Sequence, residues 1–334
     1  MPREVSNSRR YHAAVAALDD TPSLARLAHA AAAVTASDEP CALALSGARR
    51  LRGARRVGVF AGSFNPLTQA HVALVNDALR TARLDVIIWA CAAVSVDKER
   101  VERAALVDRL AQMRAFVTSR RRDTLALLNR GLYVDEARTL RTLLPPEAEV
   151  SLLVGYDKIV QIFDPKYYDD RDAALRELFA LARLLVAPRG DDGAEGLAKL
   201  LAKPENRPFA AHVRYLDVPS TWLRDSSTEA RALAAEQPPN VAALARLLPP
   251  AGLALALHTD AYHPNAIAYD IRARWLDALT MLPITVARSL PPLDTLTRVT
   301  RADDVRGERL RRWLTARRQR GEELLSLVAN QESG

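Results

Sequence analysis

Between Val57 and Pro219 the chain alternates short apolar runs with longer stretches in which apolar residues recur at helical spacing. The run "VGVFAG" precedes a helical pattern over 70–80, "LDVIIWACAAV" precedes one over 103–117, and "LALLNRG" precedes one over 134–144. Then come "EVSLLVGYD", a helix near 171–181, "RLLVAPRG" and "HVRYLDVP". A run that is apolar at every position predicts a strand covered on both faces. Such strands, each followed by a helix, predict a parallel sheet with helices on both sides. Crossovers in such sheets are right-handed, and ligands bind at the carboxyl ends of the strands.

The fold class expected is therefore α/β, a Rossmann-like doubly wound parallel sheet. Outside that alternation the texture is helical. Residues 1–52 are alanine-rich, with a helix-start signal at Asp20-Thr21-Pro22 and a break at Asp38-Glu39-Pro40. After His258 helices return with many arginines. The stretch 309–320, "RLRRWLTARRQR", has six arginines and no acid, and Leu310, Trp313 and Leu314 share one helical face. It reads as a solvated helix packed on the domain or on a partner subunit, with a phosphate- or nucleic-acid-binding face as the other reading. The boundaries expected are a helical extension over 1–52, an α/β domain over 53–262 and an arginine-rich helical extension over 263–334. "RGDDGAEG" at 189–196 reads as an exposed loop.

Composition narrows the picture. A 334-residue chain that is 49% apolar is globular rather than disordered. Its two cysteines, Cys41 and Cys91, are far apart and suit a thiol-reducing interior rather than a disulfide framework. No signal-peptide pattern opens the chain and no stretch approaches eighteen uninterrupted apolar residues, so a cytoplasmic protein without a membrane partner is expected. The formal charge of +7 comes from arginine. With only 5% aromatic residues and no zinc-finger or RNP-like motif, it reflects composition rather than a nucleic-acid partner.

Chemistry concentrates where the first strand meets its helix. Gly62 permits close approach of a ligand, Ser63 offers a hydroxyl, Asn65 an amide, and Pro66 stiffens the turn. Thr68 stands where an N-cap belongs and His71 falls in the first helical turn. An unpaired helix N-terminus attracts an anion, and a histidine there can donate hydrogen bonds to phosphate. An ordinary strand-turn-helix with a surface histidine carries the same pattern. Neither Gly-x-Gly-x-x-Gly nor a P-loop is present. A second candidate anion site lies at Ser226-Ser227-Thr228, ahead of a helical run supported by Glu229, with Arg231 projecting from the first turn. A plain capped helix is its simpler reading. Between the two, Gly155 ends a strand, and Asp157 at its carboxyl end is placed to accept hydrogen bonds from ribose hydroxyls or to cap a helix.

"GSFNPLTQAH" (62–71) resembles the first signature of the nucleotidyltransferases with the His/Thr-x-Gly-His motif, and most closely that of nicotinamide and nicotinate mononucleotide adenylyltransferases. Thr68 and His71 fall on its two motif positions, and Ala70 replaces the usual Gly. "SSTEAR" (226–231) resembles the second signature, Ile-Ser-Ser-Thr-x-Ile-Arg, with Ala230 for the usual Ile; a shorter competing register is Ser220–Arg224. Gly155-Tyr156-Asp157 matches Gly-x-Asp. Tyr167 falls where a tryptophan that stacks on the pyridine ring usually stands, and "FDPKYY" is similar to the divergent fungal-type branch. Lys98 falls near a family lysine; a solvated lysine is the alternative.

The resemblance covers about 57–262. It implies transfer of AMP from ATP to a pyridine mononucleotide, with Mg²⁺ carried by the ATP. It implies that Thr68, His71 and Arg231 serve the triphosphate, with Ser226, Ser227 and Thr228 at a helix N-terminus. Ser63, Asn65 and Lys98 then serve the mononucleotide side, and Gly62, Phe64, Gly155, Asp157 and Tyr167 are further nucleotide-binding residues. The residues leave open nicotinamide against nicotinate, another nucleotidyltransferase using cytidine triphosphate or a different phosphorylated acceptor, a catalytically silent nucleotide-binding regulator, and assembly into a homo-oligomer.

Overall fold

The computed structural model describes residues 8–93, 104–129, 133–187, 193–216, 226–264, 267–316 and 321–329. Two helices, α1 (Arg9–Asp19) and α2 (Thr21–Thr35), lead into strand β1 (Ala42–Ser46). The alternating region follows as β2 (Arg56–Gly62), α3 (Gln69–Thr81), β3 (Val86–Ala92), α4 (Leu106–Thr118), β4 (Asp123–Leu128), α5 (Tyr133–Arg141), β5 (Glu149–Gly155) and α6 (Tyr156–Phe163). It continues through α7 (Arg171–Leu181), β6 (Arg183–Ala187), α8 (Gly193–Ala202), β7 (Val213–Tyr215) and α9 (Ser227–Ala235). Helices α10 (Val241–Leu247), α11 (Pro250–His258), α12 (Ile267–Leu279), α13 (Ile284–Ala287), α14 (Leu293–Arg301), α15 (Val305–Thr315) and α16 (Gly321–Ala329) complete the described chain.

Among the described residues seven strands form one sheet in the order β1-β4-β3-β2-β5-β6-β7. Neighbours are parallel except β1, which runs antiparallel to β4. This is the expected α/β Rossmann-like arrangement. Side chains sort by the two-residue period of a strand. Ile87, Trp89 and Cys91 of β3 enter the core on one face, while Val86, Ile88 and Ala90 enter the core on the other. Each fully buried aliphatic side chain contributes about 1.5–3 kcal/mol, so two covered faces give the sheet its stability. Gly58 in β2 has a steric reason: a Cβ there would lie 2.5 Å from Ile87 and 2.6 Å from Leu84.

From β2 the chain moves outward to β3 and β4, then returns to pair β5 with the free side of β2. The strand order reverses between β2 and β5, and the crevice at their carboxyl ends is the binding position of such a sheet.

Two local expectations are corrected. Residues 42–46, within a segment read as helical, form the edge strand β1, because Ala42–Ser46 extends alongside β4 and Cys41 N–H donates to Asn129 Oδ1 at 2.8 Å. Residues 193–196, read as loop, open helix α8, whose buried Leu197 packs into the second core. In α15, Leu310, Trp313 and Leu314 are buried and Trp313 stacks on Trp275 with ring centroids 5.7 Å apart, so this face is spent on packing. Residues 317–320 lie outside the described residues. No helix among the described residues is long and apolar enough to cross a membrane.

Candidate active site

β2 delivers the chain to Gly62 at the crevice, and a tight turn carries it to α3. Phe64 adopts φ 44° and drops its ring into the core, 1% exposed, with centroids 5.8 Å from Phe60, 5.6 Å from Trp89 and 5.6 Å from His71. The ring anchors the turn from below, so the side chain of Phe64 is packed away from the crevice. Asn65 is also buried, and its Oδ1 accepts from Ala104 N–H at 3.2 Å and from the Tyr262 hydroxyl at 2.8 Å. Burial holds that phenol well above its ordinary pKa, so it stays a donor. The Asn65–Pro66 peptide is cis.

Thr68 is the N-cap of α3 and forms a reciprocal capping box with His71. Thr68 N–H donates to His71 Nδ1 at 3.0 Å, and His71 N–H to Thr68 Oγ1 at 3.4 Å. With Nδ1 accepting, the neutral imidazole carries its proton on Nε2. The ring is held between its cap and the rings of Phe60 and Phe64.

Helix α4 clamps the turn from the side. Arg109 Nη1 donates to Ser63 O at 2.8 Å. Gln112, fully buried, donates to Phe64 O at 2.9 Å and accepts from Leu67 N–H at 3.0 Å. Helix α11 presses on the same turn at Gly252, where a Cβ would lie 2.4 Å from Leu67 O.

The second segment docks directly on the first. Ser226 is the N-cap of α9 and accepts from Glu229 N–H at 3.0 Å. Ser227 Oγ donates to Pro66 O at 2.8 Å. Arg231 donates through Nη1 to Asn65 O at 2.8 Å and through Nη2 to Thr228 Oγ1 at 3.1 Å. Two helix N-termini, α3 and α9, thus meet around one turn, each with a partial positive charge.

The structure therefore joins Gly62, Ser63, Phe64, Asn65, Thr68, His71, Ser226, Ser227, Thr228 and Arg231 in one packed and hydrogen-bonded group. Gly155 and Asp157 stand at the end of the adjacent β5, Gly155 as the N-cap of α6 and Asp157 exposed in its first turn. Tyr167 follows in a 3-10 turn, half-buried, with Lys166 Nζ 4.7 Å from its ring centroid. Lys98 and the competing register Ser220–Arg224 lie outside the described residues.

The residues that hold the turn, Gln112, Tyr262 and Gly252, were not singled out from sequence. Gln112 carried a signal: it is a polar residue between Ala111 and Met113 on the inner face of α4, and such a residue needs partners when buried. No group of three or more His, Cys, Asp and Glu among the described residues could hold a metal. Burial pushes the Cys91 thiol up to about 12, so it is not a thiolate nucleophile at neutral pH.

A family model described as cytidylyltransferase-like matches residues 59–232. A Synechococcus protein (strain JA-3-3Ab) named "Probable nicotinate-nucleotide adenylyltransferase" is 29% identical over 195 residues, 56% of this chain and 90% of its own length. A Schizosaccharomyces pombe protein, provisionally named a nicotinamide mononucleotide adenylyltransferase, is 29% identical over 139 residues, 40% of this chain and 54% of its own. Among solved structures, the Plasmodium falciparum nicotinic acid mononucleotide adenylyltransferase complexed with NaAD is similar at 18% identity and a TM-score of 0.49, over 62% of this chain and 97% of that one.

Proposed function

Because the chain belongs to the cytidylyltransferase-like family, we propose that it is an adenylyltransferase that moves AMP from ATP to a pyridine mononucleotide and releases pyrophosphate. The names of its relatives support this reading, and the observation that carries it is the docking of α9 on the turn before α3 through Arg231–Asn65 and Ser227–Pro66. That contact gathers hydroxyls, an imidazole, a guanidinium and two helix N-termini, which is the equipment of a phosphate cradle.

In the reaction an oxygen of the mononucleotide phosphate forms a bond to the α-phosphorus of ATP, and the bond from that phosphorus to the β-bridging oxygen breaks. The attacking oxygen is already anionic, so no general base is needed, and catalysis rests on positioning and charge stabilisation. His71 Nε2–H and Arg231 serve the triphosphate, with Thr68 orienting the imidazole and Ser226, Ser227 and Thr228 presenting the N-terminus of α9. Ser63 serves the mononucleotide through its hydroxyl, and Asn65 and Phe64 act by shaping the turn. Gly155 and Asp157 are placed for ribose hydroxyls and Tyr167 for stacking on an aromatic ring. ATP enters as its magnesium complex. The donors gathered at the turn are hydrogen-bond donors and cations rather than carboxylates, so they meet its phosphates and not the metal. The cytoplasm is the proposed compartment, in keeping with two free cysteines.

The experiment is a pyrophosphate-release assay with ATP or CTP against nicotinamide and nicotinate mononucleotides. Dinucleotide and pyrophosphate from ATP with either pyridine acceptor is the expected result. Release only from CTP, or nucleotide binding without release, overturns it.

A further inference from the structure

A cavity of about 580 Å³ lies between α1, α3, the end of α4 and the start of α11. Along α3 it touches Gln69, Val72 and Leu79, so it follows eleven residues of that helix, a rise of about 15 Å at 1.5 Å per residue. One end thus reaches the first turn of the helix that carries His71. The other reaches the start of β4, at the amino ends of the strands, opposite the crevice.

Its lining divides by chemistry. The wall is apolar, with Val72, Leu79, Phe116 and Pro249; the stretch before β4 is cationic, with Arg120, Arg121 and Arg122, and Arg10 of α1 joins the lining. Arg120 is committed: it pairs with Asp123, donates to Asn76 Oδ1 at 2.6 Å, and lies over the Phe116 ring at 5.1 Å. Arg10, Arg121 and Arg122 are exposed, and none forms a salt bridge among the described residues; Arg122 acts on Asp85 only at longer range. The one acid in the lining, Asp123, is 1% exposed. Its Oδ2 accepts from Trp89 Nε1 at 2.9 Å and from Arg120, while its Oδ1 is buried with no hydrogen-bond partner.

A drug-sized cleft with apolar walls and a few convergent polar groups is the usual form of a small-molecule site. Three arginines that form no salt bridge among the described residues line this one cavity, a charge that calls for a multiply charged anion, and their planar forks match phosphate oxygens. An aryl wall at Phe116 fits a ring. We propose that this groove is a second ligand site, separate from the turn before α3, for an aromatic phosphate monoester whose dianion meets Arg10, Arg121 and Arg122 and whose ring lies against Phe116 and Val72.

The test is calorimetric titration of the full chain with 1-naphthyl phosphate, with 1-naphthol and inorganic phosphate titrated separately. We expect saturable binding at one site, at least tenfold tighter than either control, unchanged in His71→Ala and weakened at least tenfold in the double variant Arg121→Glu/Arg122→Glu. Both arginines are exposed and unbridged, so that variant keeps the fold, checked by an unchanged Tm. Absence of binding, equal affinity in the double variant, or loss of binding in His71→Ala overturns the proposal; the last outcome places the probe at the turn instead.

Discussion

Thr68 decides which nitrogen of His71 carries the proton, and that decision sets what the imidazole can do. A ring that accepts at Nδ1 presents a donor at Nε2, suited to a phosphate oxygen gaining charge. His71→Ala is expected to raise the barrier by about 2 kcal/mol or more, roughly a thirtyfold loss of turnover, as removal of a positioned donor does. Steady-state kinetics at saturating ATP reads it, and wild-type turnover would remove His71 from the reaction. A second residue-scale prediction concerns Glu136 of α5, which is buried with Oε2 unpartnered. Burial pushes its carboxyl up to about 8, against a smaller opposing pull from Lys158. A carboxyl raised in the folded state holds a proton that the unfolded chain has released. Its stability contribution is therefore complete below the unfolded value near 4.5 and is lost as pH rises to about 8. Over that window stability should fall by up to about 1.4 kcal/mol per pH unit, and Glu136→Gln should flatten the slope in denaturant titrations.

Helix α4 is the element that shapes the turn, because Gln112 pairs at once with a carbonyl and an N–H three residues apart. Gln112→Ala leaves Phe64 O and Leu67 N–H without that partner, at about 1–3 kcal/mol for each buried group. Urea denaturation should show a loss of that order, and turnover should fall with it. Gly252→Ala forces α11 away from Leu67 O, and the same two measurements should both decline. What could be read in sequence at this scale followed physical rules. Strands buried on both faces announce themselves by unbroken apolar runs, and caps by their hydroxyls; hence β2 to β6, α3 and α9 were visible. Strand β1 was not, because "ALALS" is short, alanine-rich and half-exposed, and its partner β4 lies about eighty residues on. The inward roles of Phe64 and Asn65 were hidden too, since a motif shows which residues recur and not which way they face.

Across the whole molecule, the two flanking segments meet on one face of the sheet through a buried ionic cluster. Arg272 of α12 forms a forked pair with Asp108 of α4, the closest contact at 2.7 Å, and donates to Leu18 O at 2.6 Å. Asp19 lies 3.5 Å from Arg272 Nη1 and 2.6 Å from His258 Nε2. Burial pulls the Arg272 pKa down, but the charge and hydrogen bonds of Asp108 outweigh it, so the guanidinium stays charged. Removing one partner strands the other: Asp108→Ala is expected to cost about 3–5 kcal/mol in urea denaturation, and the paired change Asp108→Leu/Arg272→Met far less. None of this could be read from one sequence, because the partners come from three distant segments without a shared motif. The Tyr262 hydroxyl on Asn65 has a practical outcome. A fragment trimmed to residues 59–232, the span that the family model matches, would keep both signatures yet lose the strut that seats them. Such a piece should express as aggregate, so the smallest working enzyme must be sought well beyond the two signature segments.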